Sequence, residues 1–266
     1  MHYLDIPERS TAPTLILVHG SWHDGGCWSA VRAQLAAAGV HSIAPTLPGH
    51  GADDDRLNVS HDDYVRTVVD ALDALDRPSA LVGHSFGGSV ISRVAELRPK
   101  RCSGLIYYSA FVPRHGESVA DSLPAAFIEF LDQAAAASAD RAIALPDGAL
   151  GESFANTADE HTLALISSML VPEPYAPIFE PLSLPNFPNL EIPTAYIICR
   201  NDRALPPGTF HPTGRLRAPE LIEIEGDHES LLTAPQRLGD ALLDAFDALE
   251  VARRGRGSAV VSRARS

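Results

Sequence analysis

The sequence is poor in cysteine, with only Cys27, Cys102 and Cys199 in 266 residues. Three thiols cannot build a disulfide scaffold, and free thiols are typical of a reducing compartment. No apolar run reaches the ~18 residues that a membrane-spanning helix needs. Residues 1–10 also lack the apolar stretch of a secretory signal. These absences predict a cytoplasmic protein without a membrane span.

Basic residues are scarce as well, because 21 Lys and Arg stand against 34 Asp and Glu, for a net charge of −13. Nucleic acid binding needs Lys and Arg against the phosphates, so we expect no nucleic-acid partner. Five arginines and no acidic residue follow position 250. Their Gly- and Ser-rich context predicts a disordered basic tail over 251–266.

Cofactor signatures are missing too. There is no Gly-x-Gly-x-x-Gly after the first apolar run and no Walker loop, which excludes the usual nucleotide sites. Acidic clusters occur at 53–55 and 61–63, but carboxylates in a loop and a first helical turn are usually solvated or capping. We therefore expect neither a cofactor nor a metal.

What the chain does have is an alternation of short apolar runs with segments of helical periodicity. This alternation predicts an α/β fold with a mostly parallel sheet of about six or seven strands flanked by helices. Strands are expected at 14–18, 40–44, 79–83, 104–111, 194–199 and 220–225, and helices at 27–38, 60–75, 86–97 and 235–249.

Between the fourth and fifth expected strands lies a segment without a buried-strand pattern. Its residues 127–137 and 161–170 have helical spacing, and 172–193 are rich in proline. A segment of this length is too long for a plain loop. We expect a core of 1–112 and 191–250 with a helical cap inserted at 113–190.

Gly83-His84-Ser85-Phe86-Gly87 matches Gly-x-Ser-x-Gly between an expected strand and an expected helix. In that context a tight turn lifts the serine hydroxyl above the sheet edge, so Ser85 is the candidate nucleophile. The alternative is that Ser85 only caps the helix. His84 is expected to fill space in the turn.

An oxyanion needs two converging N–H donors. One is expected from Phe86, the residue after the nucleophile. The other should come from the loop His19-Gly20-Ser21-Trp22 after the first strand, with Ser21 as first choice and Trp22 as second.

A serine nucleophile also needs a base and an acid that orients the base. His228 follows the last expected strand and Asp202 follows the fifth, so both belong to loops at the sheet edge that carries Ser85. Asp227 is the rival acid, although a residue adjacent to His228 is poorly placed to bond its ring. His41, His61 and His161 are expected at the surface.

Segments 19–28 and 104–118, together with Gly-His-Ser-Phe-Gly-Gly, resemble the plant methylesterase and hydroxynitrile lyase family of the α/β-hydrolase superfamily. Bacterial pyrethroid- and carbamate-hydrolysing esterases are similar too. The resemblance implies the α/β-hydrolase fold, a triad of Ser85, Asp202 and His228, no metal, and a lid over an apolar pocket.

Two departures bear on the reaction. The lyases of this family look to carry Thr in place of Gly20 and Lys in place of Glu229, so the resemblance favours an esterase. The esterases commonly carry a small or apolar residue where this chain has Glu229. We interpret Glu229 as a surface carboxylate in the first turn of a helix.

The expected activity is hydrolysis of a carboxylic ester, or a similar acyl bond, of a small and largely apolar substrate through an acyl-enzyme. Two alternatives remain open: a lyase or cofactor-free tailoring enzyme that reuses the triad, and a non-catalytic ligand-binding protein. A homodimer is compatible with the sequence. The pocket is expected to be lined by Trp22, Phe127, Phe130, Met169, Leu170 and Phe179, each of which would also suit plain core.

Overall fold

The computed structural model describes residues 14–52, 54–207 and 212–263. Within them the strands in chain order are β1 (Thr14–Val18), β2 (His41–Ile43), β3 (Ser79–His84), β4 (Cys102–Tyr108), β5 (Ala142–Ile143), β6 (Glu173–Pro174), β7 (Thr194–Cys199) and β8 (Glu220–Ile224). Six of them form one parallel sheet in the order β2-β1-β3-β4-β7-β8, and β5 pairs with β6 antiparallel. The α/β-hydrolase fold predicted from the sequence is confirmed.

Helices follow the strands as the periodicity indicates. They are α1 (Ser29–Ala37), α2 (His61–Asp73), α3 (Gly87–Leu97), α4 (Ala125–Ala137), α5 (Glu160–Met169), α6 (Ala176–Phe179), α7 (Ser230–Thr233) and α8 (Pro235–Arg263), with a π-helical turn at Leu150–Phe154. Shorter 3-10 turns lie at Gly25–Trp28, Ala120–Ser122, Phe187–Asn189 and Pro212–Arg215. Ser60 and Asp63 form the capping box expected at the start of α2.

Hydrophobic clusters cover both faces of the sheet. In β1, Ile16 and Val18 enter the cluster that packs α2 and α3, while Leu15 and Leu17 enter the cluster that packs α1 and α8. Successive strand residues point to opposite faces, so a strand buried on both sides is continuously apolar. No helix within the described ranges has the length and apolarity needed to cross a membrane.

Some expectations differ from the structure or lie beyond it. Helix α8 continues to Arg263, so the backbone is helical where the sequence predicts a disordered tail; alanine and arginine there favour helix. The segment between Tyr108 and Thr194 contains α4, α5, α6 and the β5–β6 pair. Residues 1–10, to which the signal-peptide expectation applies, and Asp53 lie outside the described residues.

Candidate active site

Ser85 occupies the tight turn between β3 and α3. Its φ is +50°, a left-handed conformation that strains a residue with a side chain. The Ser85 N–H donates to the carbonyl of Tyr108 at 3.2 Å, and the Phe111 N–H donates to the carbonyl of Ser85 at 3.0 Å. At Gly87 an added Cβ would lie 2.7 Å from the Val18 carbonyl oxygen. Backbone bonds to β4 and close packing on β1 therefore hold the strained turn.

His228 and Asp202 form a buried hydrogen-bonded pair, with 2.8 Å between Nδ1 and Oδ2. The loop after β7 supplies Asp202 and the loop after β8 supplies His228. Burial pushes the pKa of His228 down, but the charge and hydrogen bond of Asp202 outweigh it and the pKa is raised. Burial pushes the pKa of Asp202 up, but His228 and a backbone bond from Leu205 hold it below its usual value. The pair thus favours an ionised acid beside a basic imidazole.

The candidate nucleophile and the candidate base open onto the same cavity, since Ser85 and His228 both line it. Within the described residues the Ser85 hydroxyl makes no hydrogen bond to the imidazole. Catalytic hydrogen bonds of unliganded sites commonly tighten only when substrate binds. Of the three predicted triad residues, the structure joins Asp202 to His228 directly and places Ser85 at the cavity that His228 also lines.

His84 fixes the backbone of the base. Its Nε2–H donates to the carbonyl of His228 at 3.1 Å, and the Tyr108 hydroxyl donates to the same carbonyl at 2.6 Å. Burial lowers the pKa of His84 to about 3, so its ring is neutral. The ring also stacks on Tyr108 at 4.6 Å. His84 therefore does more than fill space as expected, because it also supports the loop of His228.

The loop after β1 is held in a way that separates the two candidate oxyanion donors, Ser21 and Trp22. The Trp22 N–H donates to Glu173 Oε2 at 3.1 Å, so it is already engaged. Ser21 and Phe86 both line the cavity beside Ser85. A Cβ on Gly20 would lie 2.8 Å from Ser85 Cβ, which shows how closely this loop approaches the nucleophile. Ser21 is the better of the two loop candidates.

Glu173 belongs to a buried network that the sequence reasoning missed. It is fully buried and accepts hydrogen bonds from Trp22 N–H, from His50 Nε2–H at 2.9 Å and from the Tyr64 hydroxyl at 3.4 Å. Burial pushes the pKa of His50 down, but Glu173 outweighs it and the pKa is raised. Nδ1 of His50 also donates, to the Pro48 carbonyl at 3.2 Å, so both ring nitrogens of His50 have a partner. In the sequence Glu173 is a single acidic residue between two prolines, and no pattern there indicates a buried role.

Glu229 corrects an expectation, because it is buried, 3% exposed, and not a surface carboxylate. Its Oε2 accepts from His23 Nε2–H at 2.9 Å, and both side chains are buried. Burial alone would raise the pKa of Glu229, but His23, His84 and His228 lower it to about 2. The sequence position of Glu229 indicates only the start of a helix, whereas its burial results from the tertiary contact with His23.

Other predicted roles are resolved by their contacts. Asp227 accepts hydrogen bonds from Thr157 and Thr233, so both of its oxygens are engaged away from the His228 ring. His61 was expected at the surface but is buried, with 2.9 Å between Nε2 and Ser89 Oγ, and burial lowers its pKa to about 4. His41 and His161 are exposed.

The cavity above Ser85 has a volume of about 420 Å³. Trp22, Phe127 and Phe130 line it, as expected, whereas Met169, Leu170 and Phe179 do not. Met169 is 39% exposed at the end of α5, Leu170 packs on the hydrophobic clusters, and Phe179 stacks on Tyr175 at 4.4 Å. The apolar lining that the sequence reasoning missed is Phe111, Val119, Leu123, Leu131, Phe154 and Ile178. Three charged side chains also border the cavity: Asp147, Glu152 and Arg203.

One group in the described part of the chain has the spacing of a metal site. His84, His228 and Glu229 are buried, and their ligand atoms lie within 4.8 Å of one another. Each already has a hydrogen-bond partner: the His228 carbonyl for His84, Asp202 for His228, and His23 for Glu229. Hydrogen bonds to other groups therefore already engage His84 Nε2, His228 Nδ1 and Glu229 Oε2.

Comparisons with known proteins agree with this architecture. Residues 15–241 match the model of the alpha/beta hydrolase family. A carbendazim-hydrolysing esterase of Nocardioides is 34% identical over 64% of this chain and 72% of its own, and methylesterase 2 of Arabidopsis thaliana is 27% identical over 90% and 98%. An extracellular α/β-hydrolase from a Paenibacillus species superposes with a TM-score of 0.83 at 36% identity, over 88% of this chain and 98% of that one.

These matches confirm the resemblance to plant methylesterases and bacterial esterases that the sequence motifs indicated. The family model alone spans most of the chain, including the turn of Ser85 and the loops of Asp202 and His228. The chain belongs to the α/β-hydrolase family.

Proposed function

We propose that this protein is a carboxylic-ester hydrolase that cleaves small, largely apolar esters through an acyl-enzyme formed on Ser85. The observation that carries the proposal is the buried His228–Asp202 pair, 2.8 Å apart, whose His228 borders the same cavity as the strained Ser85. Relatives named as esterases support the reaction class. The low cysteine content further leads us to propose a cytoplasmic location.

The mechanism follows from the roles of the three side chains. His228 accepts the hydroxyl proton of Ser85 as Oγ attacks the ester carbonyl, and Asp202 stabilises the imidazolium that forms. His228 returns the proton to the leaving alcohol. Water then attacks the acyl-enzyme, His228 takes its proton, and the acid is released with Ser85 regenerated.

The oxyanion is expected to bind between the N–H groups of Ser21 and Phe86. Both residues border the cavity next to Ser85, and Phe86 directly precedes α3, whose N-terminus carries positive partial charge. The Trp22 N–H is committed to Glu173, which leaves Ser21 as the donor of this loop. Backbone donors that are fixed before substrate binds need no reorganisation during the reaction.

The size and lining of the cavity support a preference for small, apolar esters. A volume of about 420 Å³ bounded mostly by aromatic and aliphatic side chains suits an apolar acyl or alcohol group of moderate size. We therefore expect short and aromatic esters to be better substrates than long-chain lipids.

The Ser85→Ala variant tests the proposal. Purified wild-type protein should hydrolyse short p-nitrophenyl esters and react covalently with a fluorophosphonate probe, while Ser85→Ala does neither but keeps its circular dichroism spectrum. Product analysis should give an acid and an alcohol; a carbonyl product would indicate a lyase. A Ser85→Ala protein that turns over esters at the wild-type rate would refute the assignment, and a wild type that does not label would favour a binding protein.

A further inference from the structure

The buried pair of His23 and Glu229 joins two loops with different tasks. His23 lies two residues after Ser21 in the oxyanion loop, and Glu229 directly follows His228. The 2.9 Å hydrogen bond between Nε2 and Oε2 spans 206 residues of sequence. It connects the loop that offers the oxyanion donor to the loop that offers the base.

Glu229 is also held from the cap side. Its N–H donates to the Phe154 carbonyl at 3.2 Å, and the Phe154 ring packs edge-on against His228 at 5.4 Å and Trp22 at 5.6 Å. Three parts of the site thus meet at one residue: the base loop, the oxyanion loop and the cap. A surface carboxylate or a simple helix start would need none of these contacts.

The charge of Glu229 lies close to the base. Its carboxylate is buried, and the nearest ring nitrogen of His228 is among the atoms that lie within 4.8 Å of one another. A negative charge at such a distance favours the imidazolium that forms when His228 takes the proton of Ser85. Asp202 already bonds Nδ1, so Glu229 is a second carboxylate beside the same ring, and its own hydrogen bond goes to His23.

We propose that Glu229 is a positioning residue that fastens the base loop to the oxyanion loop through His23 and places a second negative charge beside His228. The inference rests on the proposed hydrolysis at Ser85. Glu229 touches neither the nucleophile nor the cavity, so it acts through His228 and through the loop of Ser21. Both effects are predicted to alter kcat with little change in KM, because the groups that bind substrate are untouched.

Two variants separate the bond from the charge. Glu229→Gln keeps an acceptor for His23 but removes the charge, so the acidic limb of the kcat/KM profile should move about one unit to lower pH. The sign follows because His228 must be neutral to act as base, and losing a neighbouring anion lowers its pKa. Glu229→Leu removes bond and charge together, and should lower kcat about 10- to 100-fold.

The pH readout needs every group around the ring to be considered. Only Glu229 changes in this variant, and Glu220→Gln on the exposed face of β8 is the matched control for loss of one negative charge. Six ionisable groups face His228 or Glu229. Two follow β1, His23 and Cys27, and two lie on strands, His84 on β3 and Tyr108 on β4. The other two are Asp202 after β7 and Asp227, which lies in the loop of His228 itself.

A double variant distinguishes positioning from plain stability. Removing one member of a buried pair leaves the other unpaired, whereas removing both relieves that penalty. His23→Leu/Glu229→Leu should therefore recover much of the melting temperature lost in Glu229→Leu, yet its kcat and its rate of fluorophosphonate labelling should stay low. Recovery of both stability and wild-type kcat would overturn the proposal.

The proposal can also be tested if the double variant fails. If the double variant does not fold, Glu229→Gln is decisive: a shifted acidic limb at unchanged KM supports positioning, and a profile that overlays wild type and Glu220→Gln overturns it. Failure of the proposed function looks different, because the wild type itself would then not label at Ser85.

Discussion

Replacement of Glu173 by leucine tests how the cap holds the oxyanion loop. Leucine has a similar volume but cannot accept a hydrogen bond, so Glu173→Leu leaves the Trp22 N–H and the His50 Nε2–H without their partner. Glu173 is fully buried, and water cannot easily replace the carboxylate. The substitution therefore exposes the energetic value of the network rather than a change of packing.

The expected loss in free energy of unfolding comes from the two hydrogen bonds that Glu173→Leu breaks. Breaking a buried charged pair by removing one partner costs about 3–5 kcal/mol. An orphaned backbone donor such as the Trp22 N–H adds ~1–3 kcal/mol, partly offset if His50 releases its proton. The Tyr64 bond, at 3.4 Å, is long and contributes little. We expect a loss of about 4 kcal/mol, which lowers Tm by roughly 10 °C in a protein of this size.

The loss should depend on pH. The raised pKa of His50 contributes stability that is fully present below the pKa of an unfolded histidine, ~6.5, and is lost as pH rises through the folded pKa. The gap between wild type and Glu173→Leu should therefore be widest near pH 6 and narrow towards pH 9.

Thermal and urea unfolding at the two pH values measure this gap, with kcat measured alongside. Glu160→Gln, at the exposed start of cap helix α5, is the control for loss of a cap carboxylate. Because Trp22 adjoins Ser21, the freed loop should also lower kcat in Glu173→Leu. A variant with unchanged Tm at both pH values and full activity would refute the reasoning.

Two further predictions concern the triad. Asp202→Asn removes the carboxylate that holds Nδ1 of His228 at 2.8 Å, and with Ser85 present and the fold intact it should lower kcat by about four orders of magnitude. Hydrolysis of a p-nitrophenyl ester measures this loss, and a loss of only tenfold would show that another acid orients His228. The wild-type kcat/KM profile should have an acidic limb above the ordinary histidine value of ~6.5, since the pKa of His228 is raised and the ring must be neutral; a limb near pH 5 would contradict that electrostatic assignment.

Local patterns were enough to predict the scaffold and the order of the triad. A buried parallel strand such as β1 is apolar throughout, and its run of residues 14–18 was located without error at either end. Gly83 and Gly87 indicate the turn at Ser85 in the sequence. A side chain at Gly83 would collide with the backbone at the start of α3, and one at Gly87 would collide with the end of β1. The carboxyl ends of parallel strands share one sheet edge, so the loops of residues 202 and 228 were expected to meet.

Contacts between residues far apart in the sequence could not be predicted from these local patterns. Glu229 reads as a helix start until His23, 206 residues away, is placed against it. The spacing of α5 predicts a buried face but not what lies beneath it, so Met169 was assigned to a cavity that Phe154 lines instead. Phe154 lies in a π-helical turn, whose backbone has no periodicity that a pattern search would find.

The hydrogen bonds of Trp22 limit how the segment with β5 and β6 can move. Trp22 is bonded to the cap three times: through its N–H to Glu173, through its Nε1–H to the Ile143 carbonyl at 2.9 Å, and through its carbonyl to the Val171 N–H at 2.9 Å. A rigid swing of the β5–β6 pair would break these bonds and displace the neighbour of Ser21, so it would also disturb the proposed oxyanion site. Substrate is therefore expected to enter past the charged rim of Asp147, Glu152 and Arg203, while the β5–β6 clamp stays closed.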